Sequence, residues 1–187
     1  MMMQNFISFI GWFFFFLFVE KMGEHPLAIS NIIRSIYVVM LIPIWGFTSA
    51  SNTMVSFVIG RERTHEVIPV VFKILKLCML GVLALVAINL TMPEKILSIY
   101  TNNQQLIQDA LPGFYVVSIA AIFLTIGFIF FSGVSGTGMT KISFSIETVV
   151  IFFYVIYTYI MVNIKNPQIE WVWTVEILYG FIIGVLS

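Results

Sequence analysis

The chain has 187 residues, 60% of them hydrophobic and only 10% charged, with nine basic and nine acidic side chains. A soluble domain carries about 25% charged residues, so this composition, with a mean hydropathy of +1.03, excludes an ordinary soluble domain. The zero net charge leaves no electrostatic footprint for nucleic acid, and the lone Cys78 excludes an intrachain disulfide or a Cys-based metal centre.

Six apolar segments follow one another, and a membrane-crossing helix needs about 20 mainly apolar residues. The first covers about 5–19. It lacks the basic start and small-residue cleavage site of a signal peptide, so it reads as a span, and a short one. Its end is the charged, Gly/Pro-containing stretch 20–26. The second covers about 27–60, near 50 Å as a helix and longer than a bilayer core, so it is expected to tilt, protrude or bend, with Pro43 as the bend. Arg61-Glu62-Arg63 ends it. The third covers about 64–90, with Lys73 and Lys76 early and expected to snorkel to headgroups. The polar connection that follows contains Pro93 to Tyr100, read as a short amphipathic surface helix.

The fourth segment covers about 104–134, with Pro112-Gly113 as a kink. Ser135-Gly136-Thr137-Gly138 is a turn. The fifth covers about 140–162 and the sixth about 170–187. The expected fold is therefore all-α: one polytopic transmembrane bundle of about six spans, in a single domain. Arg61, Arg63, Lys73, Lys76 and Lys141 fall on one side, and Lys21, Lys95 and Lys165 on the other. That bias places the Arg61 loop and both termini in the cytoplasm of a cell (inner or plasma) membrane.

Polar groups at membrane depth must face protein or water. In segment two, Asn31, Arg34 and Ser35 share a face, as do Ser49, Asn52, Thr53 and Ser56. Arg34 and Asn52 are 18 residues apart, five helical turns. Two readings stand for these clusters: interhelical packing through small polar groups, or the lining of an aqueous cavity. Arg34 either snorkels to a boundary or needs a partner at depth. Glu147 lies about two turns into segment five on a face with Ile151, Tyr154 and Thr158. Glu176 lies about two turns into segment six with Trp173, Gly180 and Gly184, the glycines forming a close-packing GxxxG pair. A carboxyl group removed from water can exchange a proton near neutral pH, which is the physical basis of carboxylate-driven ion coupling. The alternative is a neutral, hydrogen-bonded Glu in the bundle. Ser118, Thr125 and Ser132 make a mildly polar stripe on segment four. His25 and His65 read as boundary residues. No nucleophile motif, HExxH or Gly-rich phosphate loop occurs, so no enzyme and no cofactor are expected.

Several runs together resemble a known family. These are Leu27-Ala28-Ile29-Ser30-Asn31-Ile32-Ile33-Arg34, then Gly46-Phe47-Thr48-Ser49-Ala50, the turn Ser132-Gly133-Val134-Ser135-Gly136-Thr137-Gly138, and Trp173-Thr174-Val175-Glu176. In order and spacing they are similar to the C-terminal half, helices seven to twelve, of multidrug and toxic compound extrusion (MATE) transporters. The resemblance implies one six-helix lobe of a two-lobe, twelve-helix antiporter. Such a protein exports amphipathic or cationic compounds in exchange for entering sodium ions or protons. It also implies a missing N-terminal lobe as partner, beside membrane lipids, and a chain that is a half or fragment. Members often carry cation-binding acids midway along the seventh and tenth helices. Residues 9–16 and the neighbourhood of Thr125 hold no acid here, so those roles do not transfer. The cavity candidates are Arg34, Asn52, Thr125, Glu147 and Glu176. A lipid-linked oligosaccharide flippase of similar architecture and a non-transporting scaffold subunit are the rival readings.

Overall fold

A backbone in hydrocarbon must satisfy its own hydrogen bonds, and this chain does so with helices. The computed structural model describes residues 2–164 and 167–187, with side chains from residue 6 onward, so Lys165, counted above toward orientation, lies outside the described residues. The elements are α1 (Met2–Glu20), α2 (Glu24–Gly60), α3 (Val67–Thr91), α4 (Pro93–Leu97), α5 (Gln104–Gly136), α6 (Thr140–Val162), α7 (Ile169–Trp173) and α8 (Val175–Leu186), with a 3₁₀ turn at Thr64–Glu66 before α3. Five helical stretches are long and apolar enough to cross a membrane, α7 and α8 counting as one; α1 contributes a shorter apolar stretch, Phe6–Glu20.

The helix ends follow from local chemistry. Gly23 separates α1 from α2 at φ 113°, a conformation that side chains with a Cβ resist. Pro26 sits in the first turn of α2, where its missing N–H has no intrahelical partner to lose. Asn103 caps α5, its side-chain oxygen accepting from the Gln105 and Leu106 amides at 3.0 and 3.4 Å. Pro43 and Pro112 both lie inside continuous helices; neither ends one.

Three elements differ from the sequence expectation. Helix α5 continues through Ser135 and Gly136, so the turn expected at Ser135–Gly138 is confined to Thr137 and Gly138. The surface helix after α3 is only Pro93–Leu97, with Ser98 to Tyr100 in a turn. The sixth span is divided at Thr174. The Thr174 hydroxyl donates to Trp171 O at 2.6 Å and pairs with the Tyr157 hydroxyl at 2.7 Å. Such a short-range side-chain bond competes with the helical ladder.

Helix α5 is the hub and packs against α2, α3 and α8. Half of its apolar window is buried, against 22% for α3, so α3 is the periphery and turns Phe72, Leu77, Leu80 and Leu83 outward. The α5–α8 crossing depends on glycine. A Cβ on Gly127 would meet Gly180 O at 2.5 Å, and one on Gly180 would meet Leu124 N at 2.7 Å. A Cβ on Gly184 would reach the same spot, 3.4 Å from Gly127 Cα. The GxxxG pair of α8 therefore straddles a glycine of α5, and the backbones meet. Between α2 and α5, hydroxyls join helices directly: Ser132 donates to Thr48 O, Ser51 to Ile129 O at 3.4 Å, and Ser56 to Gly136 O at 2.8 Å. Helix α1 packs mainly on α6. Phe15, fully buried, sets its ring 4.9 Å from Trp173.

Candidate functional site

Helices α1, α2, α5, α6 and α8 line an open cavity of about 740 Å³. Its position follows from polar residues that the packing leaves facing inward. Helix α1 supplies Ser8, Phe9 and Trp12; α2 supplies Tyr37, Trp45, Ser49, Asn52 and Thr53. Phe128, Phe131 and Ser132 come from α5, Glu147 and Tyr154 from α6, and Glu176 and Tyr179 from α8. The walls are thus largely aromatic. Two carboxyl groups are the only carboxylic acids among the described lining residues, and no Lys, Arg or His is among them.

Both glutamates are 2% exposed, and each is held by hydroxyls from other helices. Glu176 accepts from Tyr37 at 2.5 Å on Oε2 and from Tyr154 at 2.9 Å on Oε1. Glu147 accepts from Tyr179 at 3.1 Å and from Ser8, both on Oε1. The rings of Tyr154 and Tyr179 lie edge-to-face at 5.9 Å, so the two acids share one aromatic partition. Each acid also trades partners between helices: α6 carries Glu147 and the donor to Glu176, while α8 carries Glu176 and the donor to Glu147. Four helices, α1, α2, α6 and α8, converge on these two side chains. A buried carboxyl group left without donors costs several kcal/mol, so the tyrosines are what allows the acids to sit at depth. At that depth of burial their attraction for a cation is stronger than in solution.

The sequence candidates divide by position. Asn52, Glu147 and Glu176 come together in the cavity lining. Arg34 lies outside it, exposed, with its guanidinium 4.9 Å from the centre of the Phe16 ring. Thr125 is fully buried, but its hydroxyl donates back to Ala121 O at 2.7 Å within α5, which is packing. The second cluster of α2 is split: Ser49, Asn52 and Thr53 line the cavity, whereas Ser56 spends its hydroxyl on α5. Sequence reasoning missed Tyr37 and Tyr179 as partners, and it set Tyr154 on the Glu147 face although its hydroxyl serves Glu176. One signal was available. A phenol hydroxyl in the middle of an apolar span needs an acceptor, and Tyr37, Tyr154 and Tyr179 all sit so.

Residues 1–160 match the sequence profile of the MatE family. No curated protein matches the chain in sequence. Among solved structures, the chain is similar to a MATE protein crystallised in the straight conformation, with TM-score 0.88 and 16% identity over 98% of this chain and 41% of that chain. It is similar to a multidrug resistance MATE family transporter of the MOP superfamily in the outward-facing conformation, with TM-score 0.88 and 15% identity over 98% of this chain and 42% of that chain. A third is a MOP superfamily transporter from Pyrococcus furiosus, described as having a binding pocket of reverse polarity that suggests a different function, with TM-score 0.88 and 16% identity over 98% of this chain and 42% of that chain. At such identity the likeness shows the fold. The chain spans about two-fifths of the length of these proteins.

Proposed function

The chain belongs to the MatE family, and from that premise we propose that it is the C-terminal lobe of a secondary active antiporter. On this reading, an organic or otherwise amphipathic cation leaves through the cavity while sodium ions or protons enter. The observation that carries it is the pair of carboxyl groups in an aromatic-walled cavity with no basic lining side chain among the described residues. Acids without counter-ions attract positive charge, and aromatic faces hold a cation's apolar body. Asn52 adds an amide that can donate or accept beside them. Alternating access in transporters of this kind comes from two repeats rocking about a site between them, so the working protein needs an N-terminal six-helix lobe as partner, in a cell membrane. The chain would act as a transporter rather than an enzyme.

A flippase for lipid-linked oligosaccharides would have to bind a lipid phosphate, and Arg34, the base nearest in register, lies outside the lining. The antiporter reading is therefore preferred. Its test is export of the cationic dye Hoechst 33342, whose charge is a protonated tertiary amine, by everted vesicles carrying the chain together with an N-terminal MATE lobe. Export should need an imposed sodium or proton gradient and should fall at least tenfold in Glu147→Gln, which loses about one charge-assisted contact to the cation, and in Glu176→Gln, which weakens the tyrosine bonds that tie α8 to α2 and α6. Undiminished export in both variants refutes the assignment of the acids. Gradient-independent leakage by the chain alone in liposomes would argue for a different machine, and a chain inert with every lobe would leave the scaffold reading.

A further inference from the structure

The two cavity acids are built differently. Each oxygen of Glu176 receives a tyrosine hydroxyl, from Tyr37 on Oε2 and from Tyr154 on Oε1. Glu147 receives both of its donors, Tyr179 and Ser8, on Oε1. Among the described residues nothing donates to Glu147 Oε2, although the side chain is 2% exposed and lines the cavity. Buried carboxylate oxygens in folded proteins are paired with rare exceptions, and an unpaired one calls for a ligand or a function. Ser8 and Tyr179 also fix the carboxyl group from two other helices, so Oε2 is held in place rather than free to turn away.

We propose that Glu147 Oε2 is the contact for the substrate's charged nitrogen, and that it selects cations bearing an N–H, such as protonated amines, over quaternary ammonium ions. Glu176 is a positioning residue that ties α8 to α2 and α6. This rests on the cavity being the substrate site. A protonated amine supplies the donor that Oε2 lacks and forms a charge-assisted hydrogen bond. A quaternary ion of the same size keeps the charge and the aromatic contacts with Trp12 and Phe128 but has no hydrogen to give. Cation–π attraction serves both ions alike, so the difference between them isolates the oxygen.

The experiment is direct binding to the full chain assembled with an N-terminal MATE lobe in nanodiscs, with N,N-dimethyl-1-naphthylmethylamine at neutral pH and its N-methylated quaternary counterpart as probes. The amine should bind at least about tenfold tighter, the worth of one hydrogen bond to a charged group. Glu147→Gln should bring the two within about twofold, and Glu176→Gln should leave the ratio as in the wild type, on the same affinity scale. Equal binding of both probes to the wild type overturns the inference while leaving the cavity reading intact; this arm needs no variant and so survives a misfolded Glu147→Gln. A ratio lost in Glu176→Gln but kept in Glu147→Gln overturns it also. Competition by sodium chloride, but not choline chloride, that vanishes in Glu147→Gln would make Oε2 an inorganic cation ligand and overturn the amine assignment. Binding of neither probe refutes the cavity reading itself.

Discussion

The α5–α8 crossing makes a sharp test because its geometry ranks glycines that look alike in sequence. Gly127→Ala places a Cβ 2.5 Å from Gly180 O and 2.5 Å from Ile183 Cγ2. Ordinary contact is near 3.5 Å, so α8 must retreat by about 1 Å, since carbonyl backbone cannot swing aside. Overpacking of that kind costs about 1–3 kcal/mol. The retreat also stretches the bonds from Tyr37 and Tyr154 to Glu176, now 2.5 and 2.9 Å, toward or past the working limit for a hydrogen bond. Bonds to a charged group are worth about 1.5–3 kcal/mol each, and partial loss of two brings the total to about 2–4 kcal/mol. Gly46→Ala and Gly81→Ala are the controls. Nothing lies within 4 Å of a Cβ at either, and alanine in a helix interior is favoured by up to about 1 kcal/mol. Gly184→Ala, whose nearest neighbour is Gly127 Cα at 3.4 Å, falls between. Reversible unfolding in mixed micelles, followed by near-ultraviolet circular dichroism, measures all four. Should Gly127→Ala be as stable as Gly46→Ala, the backbone approach that positions Glu176 is wrong.

Three further outcomes are expected. Tyr37→Phe removes the 2.5 Å donor to Glu176 without changing shape, and should cost about 1–3 kcal/mol in the same unfolding assay. Trp173→Ala empties a fully buried site that touches Phe15 and Tyr37 and donates to Ser30 at 3.2 Å; a loss of about 3–5 kcal/mol is expected, enough to lower the yield of folded protein in detergent. His25 and Asp109 form an exposed pair at 2.9 Å. A double-mutant cycle should give a coupling of no more than about 1 kcal/mol, shrinking further when the ionic strength is raised.

Much of the helical layout could be read along the chain because each signal is local. The charged stretch around Lys21 and Gly23, the Arg61-Glu62-Arg63 turn and the glycines near Gly138 stop helices wherever the chain goes next. Glu147 and Glu176 stood out for a related reason: a carboxyl group two turns inside an apolar segment must be buried or functional. The break at Thr174 was not legible, since it comes from hydroxyl bonding to Trp171 and Tyr157 inside an otherwise apolar run. Nor was the fate of Arg34, because an 18-residue spacing fixes a helix face but not what that face meets.

What the sequence by itself determined is that the chain is a bundle of membrane helices carrying two deep acids, because hydropathy and helix ends are set within a few turns. The tertiary structure alone decided which helix is central, through the fit of Gly180 against Gly127, and which donors hold the acids. Tyr37 is 139 residues from Glu176 and Ser8 is 139 from Glu147. Pairings over such distances arise from how helices cross, and no periodicity within a single helix encodes them.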